Sequence, residues 1–263
     1  MDEHASETAT GRWQITALEP DPRSPNRVLV TISPVEAHDG APNQPRSFPV
    51  AVVVIAEQGL RTGTALDAAG LAALQAADTF QQLYSRVLDL LAIRPRSESE
   101  LRTRLRRKGV ADEDIERVIA RLRRAGYLDD AAFARYWIGE RARSRPRGPR
   151  LMRQELRNKG VAPAVVDTAL AEARATRIEE ATTVLENMPA EDAADESVAS
   201  DPEYEDALRL ARRRLRGYAS LDPPTFRRRV AALLVRQGFS YATARRVLAT
   251  LAADQDDDVA DDA

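Results

Sequence analysis

Arginine suits phosphate and carboxylate recognition because its planar guanidinium presents five donors in a rigid fork. The 263-residue chain carries 39 Lys+Arg against 41 Asp+Glu, and only Lys108 and Lys159 among those cations are lysines. The cations gather in three groups. The first is Arg102, Arg104, Arg106, Arg107 and Lys108; the second is Arg141, Arg143, Arg145, Arg147, Arg150, Arg153 and Lys159; the third is Arg212, Arg213, Arg214, Arg227, Arg228 and Arg229. These are the candidate partner- or DNA-contacting residues. Only some within each group can share a face, since helix residues three and four apart align while neighbours diverge. Both lysines stand immediately before a glycine. A cation in a last helical turn complements the helix dipole and can bond the terminal carbonyls. A contact to a partner's phosphate or carboxylate is the alternative, and the residues leave both open.

Other chemistry is poorly represented. With no Cys there is no disulfide, thiolate metal site or cysteine nucleophile. The only histidines, His4 and His38, lie near the N-terminus in polar or Pro-rich surroundings, so neither a zinc site nor a His triad is expected. There is no Gly-rich phosphate loop followed by Lys and Ser/Thr, and no strand–glycine–helix dinucleotide fingerprint. Carboxylate neighbours such as Asp129/Asp130 and Glu179/Glu180 diverge on a helix and do not make a desolvated acid/base pair. The expectation is a protein without enzymatic activity, cofactor or metal. The start, Met1-Asp2-Glu3-His4, does not fit a signal peptide, and the longest apolar run, residues 50–56, is too short to cross a bilayer. A soluble cytoplasmic protein that avoids membranes is expected.

The formal net charge of -2 conceals a block pattern. Residues 84–178 sum to +10, residues 179–206 to -11 and residues 207–253 to +10, and the tail 254–263 adds six Asp. Alternating blocks of this size point to a polyanion or an acidic protein surface as partner. They also suggest that the acidic segments mask the basic faces in the free protein.

These residues must be carried by elements the sequence also specifies. Residues 1–25 are rich in Pro, Ser, Thr and acids and read as a disordered tail. Residues 26–66 read as a small β region: β-branched runs at 28–32 and 50–55, a Pro-rich loop between them, and a completing segment at 60–66. From residue 67 the spacing becomes helical. Three segments align on Lys108-Gly109, Lys159-Gly160 and Gln237-Gly238. Four before the glycine stand Leu105, Leu156 and Leu234; one after come Val110, Val161 and Phe239; ten after come Ile119, Leu170 and Leu248. Each segment predicts a helix ending at the glycine, where a left-handed residue closes the helix, and a second helix shortly beyond. An amphipathic helix precedes each pair, at 79–92, 130–144 and 203–215. Ser97 with Glu100 forms a capping box, Asp222 before Pro223 starts another middle helix, and Gly126 to Asp130 reads as a joint between units. The aromatic pairs Phe80/Tyr84 and Phe133/Trp137 are assigned to packing rather than base stacking. The fold class is mainly α: three tandem three-helix repeats, at 67–128, 129–178 and 203–253, in an elongated curved array after the β region. An acidic linker at 179–202, read as a flexible insertion, separates the second and third repeats.

The ordered residues resemble the RecX family of regulatory proteins. The resemblance rests on Arg94-Pro95-Arg96-Ser97, Glu100-Leu101, Lys108-Gly109 and Ile115, Val118, Ile119, Leu122 in the first repeat. It continues through Gly126-Tyr127-Leu128-Asp129-Asp130, Phe133-Ala134 and Arg141 into Gly148-Pro149-Arg150, Glu155-Leu156 and Lys159-Gly160-Val161. The segment Gly59-Leu60-Arg61-Thr62-Gly63 resembles the N-terminal extension of longer members. The third repeat departs from the family's usual basic residue before the glycine, having Gln237, and the acidic insertion and Asp-rich tail are additions. What the resemblance implies is a monomer that lies in the groove of the RecA filament on single-stranded DNA. There it would modulate, and by expectation inhibit, RecA's ATPase, recombinase and LexA co-protease activities in DNA repair and the SOS response. Weak direct DNA binding fits alongside. The alternatives are an autonomous basic DNA-binding protein that does not depend on RecA, and a helical-repeat scaffold for an unrelated acidic partner.

Overall fold

The computed structural model describes residues 12–35, 44–186, 201–215, 218 and 221–261. His4, His38 and most of the expected acidic linker lie outside the described residues. The chain divides into two compact units, Met1–Arg94 with Asp112–Ala120, and Pro95–Ala111 with Arg121–Ala263.

The first unit holds the strands β1 (Trp13–Pro20), β2 (Arg27–Pro34), β3 (Arg46–Ala51) and β4 (Ala65–Leu66), with the helices α1 (Val52–Glu57) and α2 (Ala68–Ile93). The sheet order is β3-β2-β1-β4, and all pairs are antiparallel. Ile15, Val30, Ile32, Val50, Val54, Leu66 and Leu74 form its core. The buried carboxylate of Asp78 on α2 ties the helix to the sheet, accepting from Ala51 N at 2.8 Å and from Arg27 Nη2 at 2.8 Å.

Two expectations need correction here. β1 lies inside the stretch read as a disordered tail. Pairing slips between Ile15 and Ala17, so a bulge at Thr16 breaks the two-residue alternation that marks a strand. The β-branched run at 50–55 is strand only to Ala51 and helix from Val52. Its partner β2 starts at Arg27, which pairs Ala51, so residues further on have no strand to bond and satisfy their backbone groups helically instead.

The three helix pairs with their leading helices follow. The first repeat comprises α2, which starts at Ala68 rather than residue 79, with α3 (Glu98–Arg107) and α4 (Asp112–Arg124). The second comprises α5 (Asp130–Ser144), α6 (Pro149–Asn158) and α7 (Pro163–Glu186). The third comprises α8 (Pro202–Arg212), α9 (Pro223–Arg236) and α10 (Tyr241–Asp261). Residues 179–186 of the expected linker are therefore helical, and α10 continues through Asp261.

The helix ends are built as their residues dictate. Ser97 and Glu100 form the reciprocal capping box of α3; Asp129 caps α5 through Ala131 N, and Asp222 caps α9 through Thr225 N. Gly109, Gly160 and Gly238 have φ of 75, 77 and 87°, the left-handed conformation that closes a helix without a Cβ penalty. Phe133, Ala134, Met152, Leu156, Val161 and Val166 make the second repeat's core; Phe226, Val230, Leu234, Phe239, Val247 and Leu251 make the third's.

Candidate partner interface and the joints that present it

The arginines divide into those that hold the repeats together and those that face solvent. Arg102 pairs with Glu98 at 2.9 Å, and Arg123 reaches the same carboxylate at 2.7 Å. Arg104, Arg106, Arg107 and Lys108 are exposed, and Arg104, Arg107 and Lys108 stand three and four apart on one face of α3 and its cap.

In the second repeat, Glu155 is a shared acceptor. Trp137 Nε1 donates to it at 3.0 Å and Arg141 Nε at 2.9 Å, while Arg147 Nε lies 3.5 Å away. Arg147 also hydrogen-bonds the Gln237 side chain. The Arg141 guanidinium lies 4.4 Å over the Trp137 ring and the Lys159 ammonium 4.1 Å over it. Arg153 bonds Asp167 at 2.7 Å, and Arg143 approaches Glu140 at 3.6 Å while staying mostly in water. Arg145 and Arg150 are exposed. In the third repeat Arg212 pairs with Asp254 at 3.0 Å, and Arg213, Arg214, Arg227, Arg228 and Arg229 are exposed. Thus Arg102, Arg141, Arg147, Arg153, Lys159 and Arg212 bond this chain's own carboxylates. The exposed set lies at the surface.

The aromatic pairs are packed. Phe133 is 2 % exposed and stacks on Trp137 with centroids 6.0 Å apart; Tyr84 is buried, and Phe80 lies 4.4 Å under the Arg117 guanidinium.

Successive repeats meet through one kind of joint, used twice. The end of each later middle helix sits on the start of the one before it. Ser97 Oγ donates to Lys159 O at 2.6 Å, and Lys159 Nζ binds Glu100 Oε1 at 2.7 Å. A Cβ on Gly160 would fall 2.3 Å from Ser99 Cβ, so only glycine fits. In the second joint Gly148 N donates to Gln237 O at 2.9 Å and Arg150 N to Gly238 O at 3.3 Å. Gly148 and Gly238 press backbone on backbone there. Lys159 is thus a joint residue, whereas Lys108, at the same place in the first repeat, is exposed. The sequence does carry a signal for the joints: a hydroxyl (Ser97) or glycine (Gly148) at the N-caps of α3 and α6, with a residue–glycine pair at the end of the following middle helix.

The ion pairs of α7 and α8 close the second against the third repeat. Arg177 forks onto Asp206 at 2.7 and 3.2 Å, and Arg209 adds 3.0 Å. Two carboxylates depart from ordinary titration. Burial pushes the Asp130 carboxyl up, opposed by the hydrogen bond from Glu98 N at 3.0 Å. Hydrogen bonds from the Thr225 side chain and backbone hold the Asp222 carboxyl down. Among the described residues there is no cluster of metal-ligating side chains, and no helix is long and apolar enough to cross a membrane.

Fold and site together define a tandem three-helix-repeat protein with cations at its surface. The family profiles described as RecX first, second and third three-helix domains match residues 84–122, 129–170 and 201–248. The regulatory protein RecX of Geobacillus thermodenitrificans is 30 % identical over 214 residues, covering 70 % of this chain and 80 % of that protein. The Streptomyces coelicolor regulatory protein RecX is 30 % identical over 171 residues, covering 65 % and 78 %. A crystal structure of regulatory protein RecX superposes with a TM-score of 0.65 at 26 % identity, covering 89 % of this chain and 98 % of that one. The RecX crystal structure from Lactobacillus salivarius, at 18 % identity and a TM-score of 0.52, covers 67 % and 99 % and shares the fold. The chain belongs to the RecX family.

Proposed function

We propose that this protein is a non-enzymatic cytoplasmic regulator of RecA that binds the groove of the RecA–single-stranded DNA filament. It inhibits RecA's ATPase, strand exchange and the filament-stimulated cleavage of LexA, and so acts in DNA repair, recombination and the SOS response. The observation that carries this reading is the ordered set of three RecX three-helix domains, each bearing exposed cations. Arg104, Arg107 and Lys108, Arg145 and Arg150, and Arg213, Arg214 and Arg227 to Arg229 are the contact residues in this proposal. Such spread cations suit many weak contacts along a filament rather than one deep pocket.

The test is RecA's ATPase on single-stranded DNA while the protein is titrated in. Inhibition well below one protein per RecA monomer supports capping or disassembly from the groove. No effect at any ratio, with DNA binding intact, replaces this reading with autonomous DNA binding.

A further inference from the structure

The joint between repeats is used twice within the chain, and its third copy is open. The socket half consists of a helix end of the form residue–glycine–apolar: Lys159-Gly160-Val161, Gln237-Gly238-Phe239 and Lys108-Gly109-Val110. The plug half is the first turn of another middle helix. In the first joint the plug is Ser97, Ser99 and Glu100, which give a hydroxyl to Lys159 O, a small side chain against Gly160 and a carboxylate to Lys159 Nζ. In the second joint the plug is Gly148 to Leu151, which gives two backbone N–H groups to Gln237 O and Gly238 O. At Gly160 and Gly238 a Cβ would land within 2.3 to 2.4 Å of the plug, whereas at Gly109 it would meet nothing within 4 Å among the described residues. Gly109 nevertheless keeps the same left-handed φ, 75°, and Lys108 is exposed.

We propose that Lys108-Gly109 at the end of α3 is a vacant socket. It receives the first turn of a helix from a partner protein, with a hydroxyl at the N-cap, a small residue two further on and a carboxylate three further on. The carboxylate would sit on Lys108 as Glu100 sits on Lys159, and the hydroxyl would donate to Lys108 O.

None of the described middle-helix starts of a second copy supplies that turn. Its α3 start is engaged by Lys159-Gly160 and its α6 start by Gln237-Gly238. Its α9 start is Asp222-Pro223-Pro224, in which the carboxylate already accepts from Thr225 N and the prolines have no N–H. That end presents acceptors to a socket that itself offers a carbonyl. The third repeat therefore closes the array at one end, and the first repeat leaves it open to a different protein at the other.

The test has two arms. The first uses the full chain, isotopically labelled, titrated with an acetylated helical peptide that begins Ser-Glu-Ser-Glu-Leu. The expected result is a saturable shift of the Gly109 and Val110 amide resonances, lost in Gly109→Asn and in Lys108→Glu. Asn tolerates the left-handed conformation, so the fold is retained while the socket is filled. Gly126→Asn is the matched control: its φ is 74° and its Cβ site is also open. No shift at millimolar peptide, or equal shifts in Gly109→Asn, overturns the socket.

The second arm rests on the proposed RecA function and measures binding to preformed RecA filaments. About tenfold weaker binding of Gly109→Asn, with Gly126→Asn unchanged, identifies the filament as supplier of the plug. Wild-type binding that Gly109→Asn leaves intact overturns that assignment. A wild type that does not bind filaments sinks the RecA reading and leaves the peptide arm to decide the socket. Self-association abolished by Gly109→Asn overturns the exclusion of a second copy.

Discussion

Replacing Gly148 by alanine adds a single methyl carbon where the second and third repeats touch. That carbon would lie 2.2 Å from Gly238 C, Gly238 O and Phe239 N, about 1.2 Å short of ordinary contact. All three are backbone atoms, so no rotamer change relieves the overlap. The backbone of Gly148 has φ -68°, which alanine adopts freely, so the variant tests contact and not local strain. Separating the surfaces breaks Gly148 N to Gln237 O and Arg150 N to Gly238 O. Each of these bonds contributes about 1 kcal/mol. Overpacking adds about 1–3 kcal/mol, and the lower entropy of the unfolded alanine chain offsets about 0.4–1 kcal/mol. The net is a destabilisation of about 2–5 kcal/mol. The assay is urea unfolding in a Trp13→Phe background, where Trp137 alone reports. With a slope of ~3 kcal/mol/M the midpoint falls by about 1 M. Gly139→Ala, inside α5 with only Arg143 Nη1 at 3.7 Å, should instead stabilise by about 0.5–1 kcal/mol. A Gly148→Ala midpoint within about 0.3 M of wild type would refute the joint.

Glu155→Ala leaves Trp137 and Arg141 without their common acceptor and Arg147 without its nearby carboxylate, and should cost about 2 kcal/mol with a red-shifted Trp137 emission. An unchanged midpoint and spectrum would mean the cluster contributes nothing. Asp130→Asn keeps an acceptor for Glu98 N but removes a carboxyl that burial raises above the ordinary aspartate value of 3.8. A raised carboxyl contributes stability that is full below the unfolded value and is lost as pH rises through the folded one. The wild type should therefore lose stability relative to Asp130→Asn as pH climbs from below 3.8 into the range just above it; parallel pH curves would refute this. Deleting residues 254–263, which frees Arg212 from Asp254, should tighten DNA binding at low salt, and unchanged affinity in a filter-binding or anisotropy assay would sink the masking idea.

The three helix pairs were legible because several local signals agree at each. Leu105, Leu156 and Leu234 fall at helical spacing before a glycine whose conformation the chain end requires, and Ser97 and Asp222 announce the next start. The edges of the N-terminal sheet were not legible. Whether Val52 is strand or helix depends on where β2 ends, which is a pairing fact, and the bulge at Thr16 hides the alternation of β1. Helical spacing is legible from residue 67, but the single helix from Ala68 to Ile93 is not. The amphipathic stripe at 79–92 stands out, while Leu71 and Leu74 upstream sit among small residues, and the Asp67 cap to Gly70 N marks the start. The roles of individual arginines are not legible either, since Arg141 and Arg145 stand four apart in one Arg-rich run, yet only Arg141 reaches Glu155 and the Trp137 ring.

That difference changes what the charge blocks mean. Counted along the chain, residues 84–178 sum to +10, as though all their cations were available to a partner. The structure places Glu98 and Glu155 where one carboxylate serves two or three cations within a repeat, and Glu100 where it holds Lys159 across a joint, so the partly buried cations of this block are occupied inside the chain. Their partners are held in low-exposure surroundings where screening by salt is weak. The outward arginines lie in water, where their attraction to a polyanion falls steeply with ionic strength. Salt should therefore separate the two sets: partner affinity declines across a range in which the joints, read by Trp137 emission, do not change. A joint signal that fell in parallel with affinity would mean the internal pairs are the ones exchanging with the partner.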